Sequence, residues 1–293
     1  MHRRWMARPR RVASLAVAAT AAAALTLSAC ASDDSPDAAA TPSPGATGVA
    51  ALHLVTPGQL TIATDSPAYE PWFADDTPKN GRGFESAVAY AVADQLGFTK
   101  DQVKWVTEPF DKSFAPGAKD FDFDINQISI TDDRKQAVDF SDGYYTVAQA
   151  VVTLKSSKIA GATSLAALKD AKLGAPVGTT SLDAINQFVK PSSPASVFNT
   201  VNDAKSALEN GQIDGIVVDL PTGFYLTAAE IDNSVIVGQF PSTGTPEQFG
   251  MLFEKGNPLV KDVNAALTKL TAGGDLKKLT DEYLAAAGAP VLK

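Results

Sequence analysis

Strand, helix and strand follow one another at crossover spacing from residue 60 onward, and this rhythm constrains the fold more than any other feature of the chain. Leu60-Thr61-Ile62-Ala63-Thr64 alternates as a strand. Phe84, Val88, Ala91, Val92 and Leu96 fall on one face of a helix that Gly97 ends. Val103-Lys104-Trp105-Val106 and the segment 121–125 supply two further strands. A parallel pair needs a long crossover, so the spacing predicts parallel βαβ units rather than a sandwich.

The rhythm returns with other residues. A strand at 150–154 precedes a short helix at 165–169 capped by Ser164, and a strand at 172–177 is broken by Gly and Pro. Asn202 or Asp203 is expected to cap a helix that stops at Gly211, followed by a buried strand at 213–218. A strand at 249–253 and helices near 259–271 and 276–286 close the chain. Two α/β lobes are expected, one from 58–150 plus 249–293 and the other from 151–248.

The N-terminus has a different character. Five arginines and no acid stand in the first 29 residues, ahead of an apolar, alanine-rich run at 12–29. A positive region, a short apolar stretch and small residues before a cleavage point make a secretory signal. The run ends Leu27-Ser28-Ala29-Cys30, which resembles the lipobox of bacterial lipoproteins. That resemblance implies cleavage before Cys30, lipidation of its sulfur, and an anchor on the outer face of the cytoplasmic membrane, where two or more acyl chains hold stably. From 31 to about 57 the chain is rich in Ser, Asp, Ala, Pro and Thr and reads as a flexible tether.

Composition removes several classes of function. The single cysteine excludes an intramolecular disulfide and multi-cysteine metal sites. His2 and His53, the only histidines, precede the expected fold, so histidine triads and His-ligated metals lose their main residue. Without the leader arginines, 20 basic residues face 33 acidic ones, a balance of −13 that argues against a nucleic-acid partner.

Four polar segments sit where strands end. Thr64-Asp65-Ser66-Pro67-Ala68-Tyr69-Glu70-Pro71-Trp72-Phe73 follows the first strand, a position where α/β folds bind ligands. Gln127-Ile128-Ser129-Ile130-Thr131-Asp132-Asp133-Arg134 follows the third. Gly178-Thr179-Thr180-Ser181 opens a helix and offers backbone N–H groups to an anion. Asp219 ends the apolar run Ile216-Val217-Val218. Each alone has a plain structural reading as a self-packed loop, a cap, a helix start or a turn. Their order and spacing are more specific.

With Gly83-Phe84-Glu85, Val138-Asp139-Phe140-Ser141-Asp142, Tyr144-Tyr145 and Asn210-Gly211-Gln212-Ile213-Asp214, the set resembles the polar amino acid family of solute-binding proteins of bacterial ABC importers. The resemblance spans roughly residues 58 to 284. It implies a two-lobed periplasmic-binding-protein-like fold, type II, with a hinge between lobes. By that likeness Arg134 clamps a ligand α-carboxylate with the N–H groups of Ser129 and Thr180, a task suited to a planar guanidinium. Asp219 accepts the α-ammonium with help from the Ser129 hydroxyl. Tyr69 covers the ligand side chain, Phe110 lines the same pocket, and Asp65, Thr179 and Ser181 complete it. The loop from Asp65 to Tyr69 is one residue longer than the common pattern, so Trp72 is expected to share the role of Tyr69. Asn126 and Gln127 stand where the family often has small residues, and alter the pocket's volume and polarity.

The implied function is capture of a polar amino acid, or a close derivative, by a monomer and delivery to a permease with an ATPase. No catalytic residue, cofactor, metal or nucleic acid is expected, and the chain has no Gly-Lys-Ser/Thr phosphate loop. The alternatives are a ligand-sensing domain for a signalling receptor and a dehydratase-like enzyme on the same fold. An enzyme needs a poised acid or base in the cleft, and Glu108 is the carboxylate available for that.

Overall fold

The computed structural model describes residues 47–242, 244–284 and 288–293. The leader, Cys30 and the first part of the tether lie outside the described residues. Residues 47–57, expected to belong to the tether, are part of the fold. Gly48–Ala51 forms a 3-10 turn, and Leu54 is buried in the first apolar core, with Val49 and Leu52 packed beside it. The N–H of Val55 donates to Asp122 Oδ1 at 2.8 Å. Three apolar side chains in this stretch are enough to draw it onto the lobe.

The first sheet contains β1 (Leu60–Thr64), β2 (Val103–Thr107), β3 (Phe123–Asp124) and β4 (Val138–Phe140). The chain then passes through β5 (Tyr145–Thr146) into the second sheet, made of β6 (Gln149–Leu154), β7 (Leu173–Pro176), β8 (Ser196–Phe198), β9 (Gly215–Asp219) and β10 (Ser234–Gln239). It returns through β11 (Gln248–Phe249) and adds β12 (Leu252–Glu254) to the first sheet. The orders are β2-β1-β3-β12-β4 and β10-β6-β9-β7-β8. Strand β1 runs parallel to β2 and β3, and β7 parallel to β8 and β9. The two crossings pair with each other as an antiparallel β5–β11 ribbon, the hinge between the sheets. The expected strand at 249–253 is thus split between the ribbon and the first sheet.

The helices are α1 (Phe84–Gln95), α2 (Phe110–Ser113), α3 (Thr180–Ala184), α4 (Val201–Glu209), α5 (Leu220–Tyr225), α6 (Leu259–Ala272) and α7 (Asp275–Tyr283). Helix α1 buries Phe84, Val88, Ala89, Val92 and Ala93, and packs with α6 and α7 over one face of the first sheet. It ends in a Schellman motif: Gly97, at φ +93°, donates to Asp94 O, and Phe98 donates to Ala93 O. Helix α4 is capped by the Thr200 hydroxyl, which accepts from the Asp203 N–H at 3.0 Å, so neither Asn202 nor Asp203 is its cap.

Strands β1 and β6 are buried along nearly their whole length, as strands covered on both faces must be. In the second lobe Val151 and Val217 join a core with Ile185 and Leu292, while Val152, Ile216 and Val218 join another with Ala204 and Leu208. The tail departs from the expected division, which gave all of 249–293 to the first lobe. Leu292 is buried beside Val237 and Phe240, its N–H donates to Gln239 O, and Leu165 N–H donates to Lys293 O. Burial of Leu292 in the second core holds the tail against that lobe.

Candidate functional site

The loop after β1 is pinned from below. The N–H groups that open α1, on Phe84 and Glu85, donate to Pro71 O and Trp72 O at 3.0 and 2.9 Å. Gly83, at φ +91°, permits this approach, since a Cβ there would lie 2.5 Å from Trp72 O. Asp65, Ser66, Pro67 and Tyr69 are left facing a cavity of about 450 Å³ between the lobes. Asp65 accepts from the Ser66 N–H, and burial raises its pKa. The Tyr69 hydroxyl is buried opposite Thr200 and Asn202 of the second lobe, and burial raises its pKa.

Trp72 does not line this cavity. It is fully buried, with its ring edge-on to Phe84, Tyr145 and Phe249 at centroid distances of 6.0, 5.8 and 5.5 Å. Its indole N–H crosses to the second lobe and donates to Thr222 Oγ1 at 2.9 Å. The expectation that Trp72 covers a ligand beside Tyr69 therefore fails, because the aromatic core claims the ring.

Beyond β3, Asn126 and Gln127 enter the cavity wall. Gln127 takes φ +47° and is held by the buried Glu85, which accepts from its N–H at 2.7 Å and from its side-chain amide. The Tyr144 hydroxyl donates to the same carboxyl, whose pKa burial lifts to about 7 against these bonds. The Glu in Gly83-Phe84-Glu85 thus supports the wall from behind. Asn126 is 6% exposed, and its amide nitrogen has no partner among the described residues.

Arg134 sits in a 3-10 turn, with its N–H capped by the Thr131 hydroxyl at 3.2 Å. One guanidinium nitrogen donates to Ser129 O at 2.7 Å and another to Gly178 O of the second lobe at 2.8 Å. The group lies 4.7 Å from the Phe114 ring centroid and 5.4 Å from that of Phe110. Burial lowers its pKa, opposed by Glu247, Asp183 and Asp219. Two of five N–H groups are engaged with the protein, leaving donors for an anion.

The facing wall is polar. Thr179 caps α3, and Thr180, Ser181 and Asp219 line the cavity with it. Gln149 and Asp219 are register partners on β6 and β9, and the Gln149 amide donates to Asp219 Oδ1 at 2.7 Å. Gln149 Oε1 in turn accepts from the Ser181 hydroxyl. Burial, then the nearby Glu247, pushes the Asp219 pKa up to about 8. Glu247 accepts from Ser129 Oγ at 2.5 Å and from Thr180 Oγ1 at 2.6 Å, joining the lobes at the hinge side.

Every expected site residue other than Trp72 and the undescribed Cys30 meets at this cavity. Sequence reasoning missed Gln149, Glu247 and Thr222. A polar residue opening the apolar run of β6 was a signal for Gln149, whereas nothing in Thr245-Pro246-Glu247 marked the glutamate.

The profile described as "Bacterial extracellular solute-binding proteins, family 3" matches residues 60–286. The chain belongs to that family. It is 30% identical over 251 residues to a probable histidine-binding protein of Neisseria gonorrhoeae, covering 83% of this chain and 90% of the relative. An ABC transporter glutamine-binding protein of Bacillus subtilis (strain 168) is 32% identical over 219 residues, covering 72% of this chain and 77% of the relative. Among solved structures, the ancestral amino acid-binding protein AncCDT-1, a precursor of cyclohexadienyl dehydratase, superposes with TM-score 0.63 at 31% identity, covering 78% of this chain and 96% of that one.

Proposed function

We propose that this family 3 solute-binding protein captures an amino acid between its lobes and delivers it to an ABC importer. One observation carries the reading: Arg134 from the first lobe and Asp219 from the second line a single cavity, so opposite charges face the two ends of a zwitterion. The α-carboxylate takes the free donors of Arg134 with the N–H groups of Ser129 and Thr180, and the α-ammonium goes to Asp219. Asp65, Tyr69, Phe110, Asn126, Gln127, Thr179 and Ser181 surround the rest. A ligand touching both walls favours the apposed lobes through that differential contact.

The names of the two relatives and of the ancestral structure, all amino-acid binders, support the class. The carboxylates on the cavity are Asp65, Asp111 and Asp219; Glu108, the acid an enzyme reading needs, is not among the lining residues. Cys30 would tether the monomer to the outer face of the cytoplasmic membrane through its lipids, within reach of a permease and its ATPase. A thermal-shift screen with the standard amino acids tests the reading, because binding to the native state raises apparent stability. A rise with at least one amino acid is expected, and no rise with any would overturn it.

A further inference from the structure

Glu247 stands behind the cavity on the return crossing, its backbone carbonyl held by the Val147 N–H at 3.0 Å. Its Oε1 receives the Ser129 hydroxyl from one lobe and the Thr180 hydroxyl from the other. A hydroxyl has one proton and two lone pairs. Both protons are spent on Glu247, so the two oxygens, which lie 3.3 Å apart on the cavity wall, have only lone pairs to offer a ligand. Gln149 is fixed the same way round. Its carbonyl oxygen is taken by Ser181, and its NH₂ turns to Asp219, Thr180 and Glu247. Asp219 Oδ2 receives no hydrogen bond among the described residues, and adds another acceptor once an arriving ammonium displaces the carboxyl proton.

We infer that Glu247 is a positioning residue that makes Ser129 and Thr180 acceptors, and thereby selects a ligand ammonium over the same molecule without its amine. The inference rests on the amino-acid reading above. Without the carboxylate, either hydroxyl is free to turn its proton into the cavity and serve a water or an anionic group.

The test is calorimetric titration of the protein with L-arginine, L-histidine and L-glutamine, each beside its deamino counterpart: 5-guanidinopentanoate, 3-(imidazol-4-yl)propanoate and 5-amino-5-oxopentanoate. For a probe that the wild type binds, Glu247→Gln should lower the preference for the amine by about tenfold or more, the weight of a hydrogen bond to a charged group. The loss should fall on the amino acid and spare the counterpart. In a Ser129→Ala, Thr180→Val background the same substitution should change the preference by less than about twofold, since Glu247 acts through those hydroxyls. Should the glutamine variant not fold, Glu247→Asp withdraws the carboxylate by one methylene, and the same loss of preference is expected. Equal weakening of both probes, or an unchanged preference, overturns the inference and leaves the amino-acid reading standing. Where none of the three binds, the amino acid found by the thermal-shift screen and its deamino counterpart serve as the probes. Absence of binding by every standard amino acid overturns the inference together with the reading beneath it.

Discussion

The two walls of the cavity are built on different physics, and the contrast lies in where each lobe keeps its buried acids. On the first-lobe side, Trp72 and Phe73 anchor the loop in an aromatic core, and Glu85 holds Gln127 from behind. Asp124 is buried behind that wall too, bonded to Ser113, with its pKa pushed up to about 8 by burial. In the second lobe the raised acid, Asp219, is on the cavity itself. A buried acid behind a wall ties pH to stability, whereas one in the wall ties pH to binding as well. The first lobe therefore supplies the packed loop and Arg134, and the second the strongly raised acid that faces them across the cavity.

The largest effect should come from removing the charges that face each other. Arg134→Ala and Asp219→Ala should each cost about 2–5 kcal/mol of binding, or on the order of 30- to several-thousand-fold in Kd, with the fold retained. The pattern across analogues sharpens the contrast between walls. Arg134→Ala should lose much of its penalty when the α-carboxylate is a neutral amide, and Asp219→Ala when the α-amine is missing. Titration calorimetry decides, and wild-type affinity in both variants would break the assignment.

Next comes the packed wall. Gly83→Ala forces a Cβ to within 2.5 Å of Trp72 O at a positive φ. A loss of roughly 1–3 kcal/mol in unfolding free energy is expected, measured by urea denaturation. Because the new methyl meets backbone atoms of Trp72 and Phe73 and no titratable group, the deficit relative to wild type should be similar at pH 6 and pH 8.

The polar wall should answer to pH instead. The Asp219 pKa is raised from 3.8 to about 8 in the unliganded fold, so near neutrality the group keeps its proton until an ammonium arrives. Its contribution to stability is full below pH 3.8 and is lost as pH rises through about 8. Binding runs the other way: affinity should fall as pH drops from 8 to 6, by up to about tenfold per pH unit, with a proton released on binding. Calorimetry in buffers of different ionisation enthalpy counts that proton, and Asp219→Asn should abolish the release.

The smallest effect concerns the link between the walls. Trp72→Phe removes the hydrogen bond to Thr222 and should cost about 1 kcal/mol of closure. Small-angle scattering should then show a more open unliganded protein, and a profile identical to wild type would deny Trp72 a part in holding the lobes together.

Much of this arrangement was legible in the chain because it is local. The 3.6-residue stripe of α1, the Gly97 stop, the alternation in β1 and the polar ends of β3 and β9 are written within a few residues of where they act. The motif order placed Arg134 and Asp219 on opposite lobes, since each follows a strand of a different sheet. Caps were less legible: Thr200, Asn202 and Asp203 are all good cap residues, and backbone geometry selected Thr200.

Tertiary structure alone decided the partners that lie far apart in sequence. Trp72 meets Thr222 150 positions away, and Ser129 meets Glu247 across 118. An indole in a loop reads equally as a pocket lid or a core residue until its neighbours are known. A glutamate between a proline and a glutamine carries no periodicity at all. Such residues gain their roles only when folding brings distant groups within hydrogen-bonding reach, because bond directions and buried protons depend on neighbours that no sequence window contains.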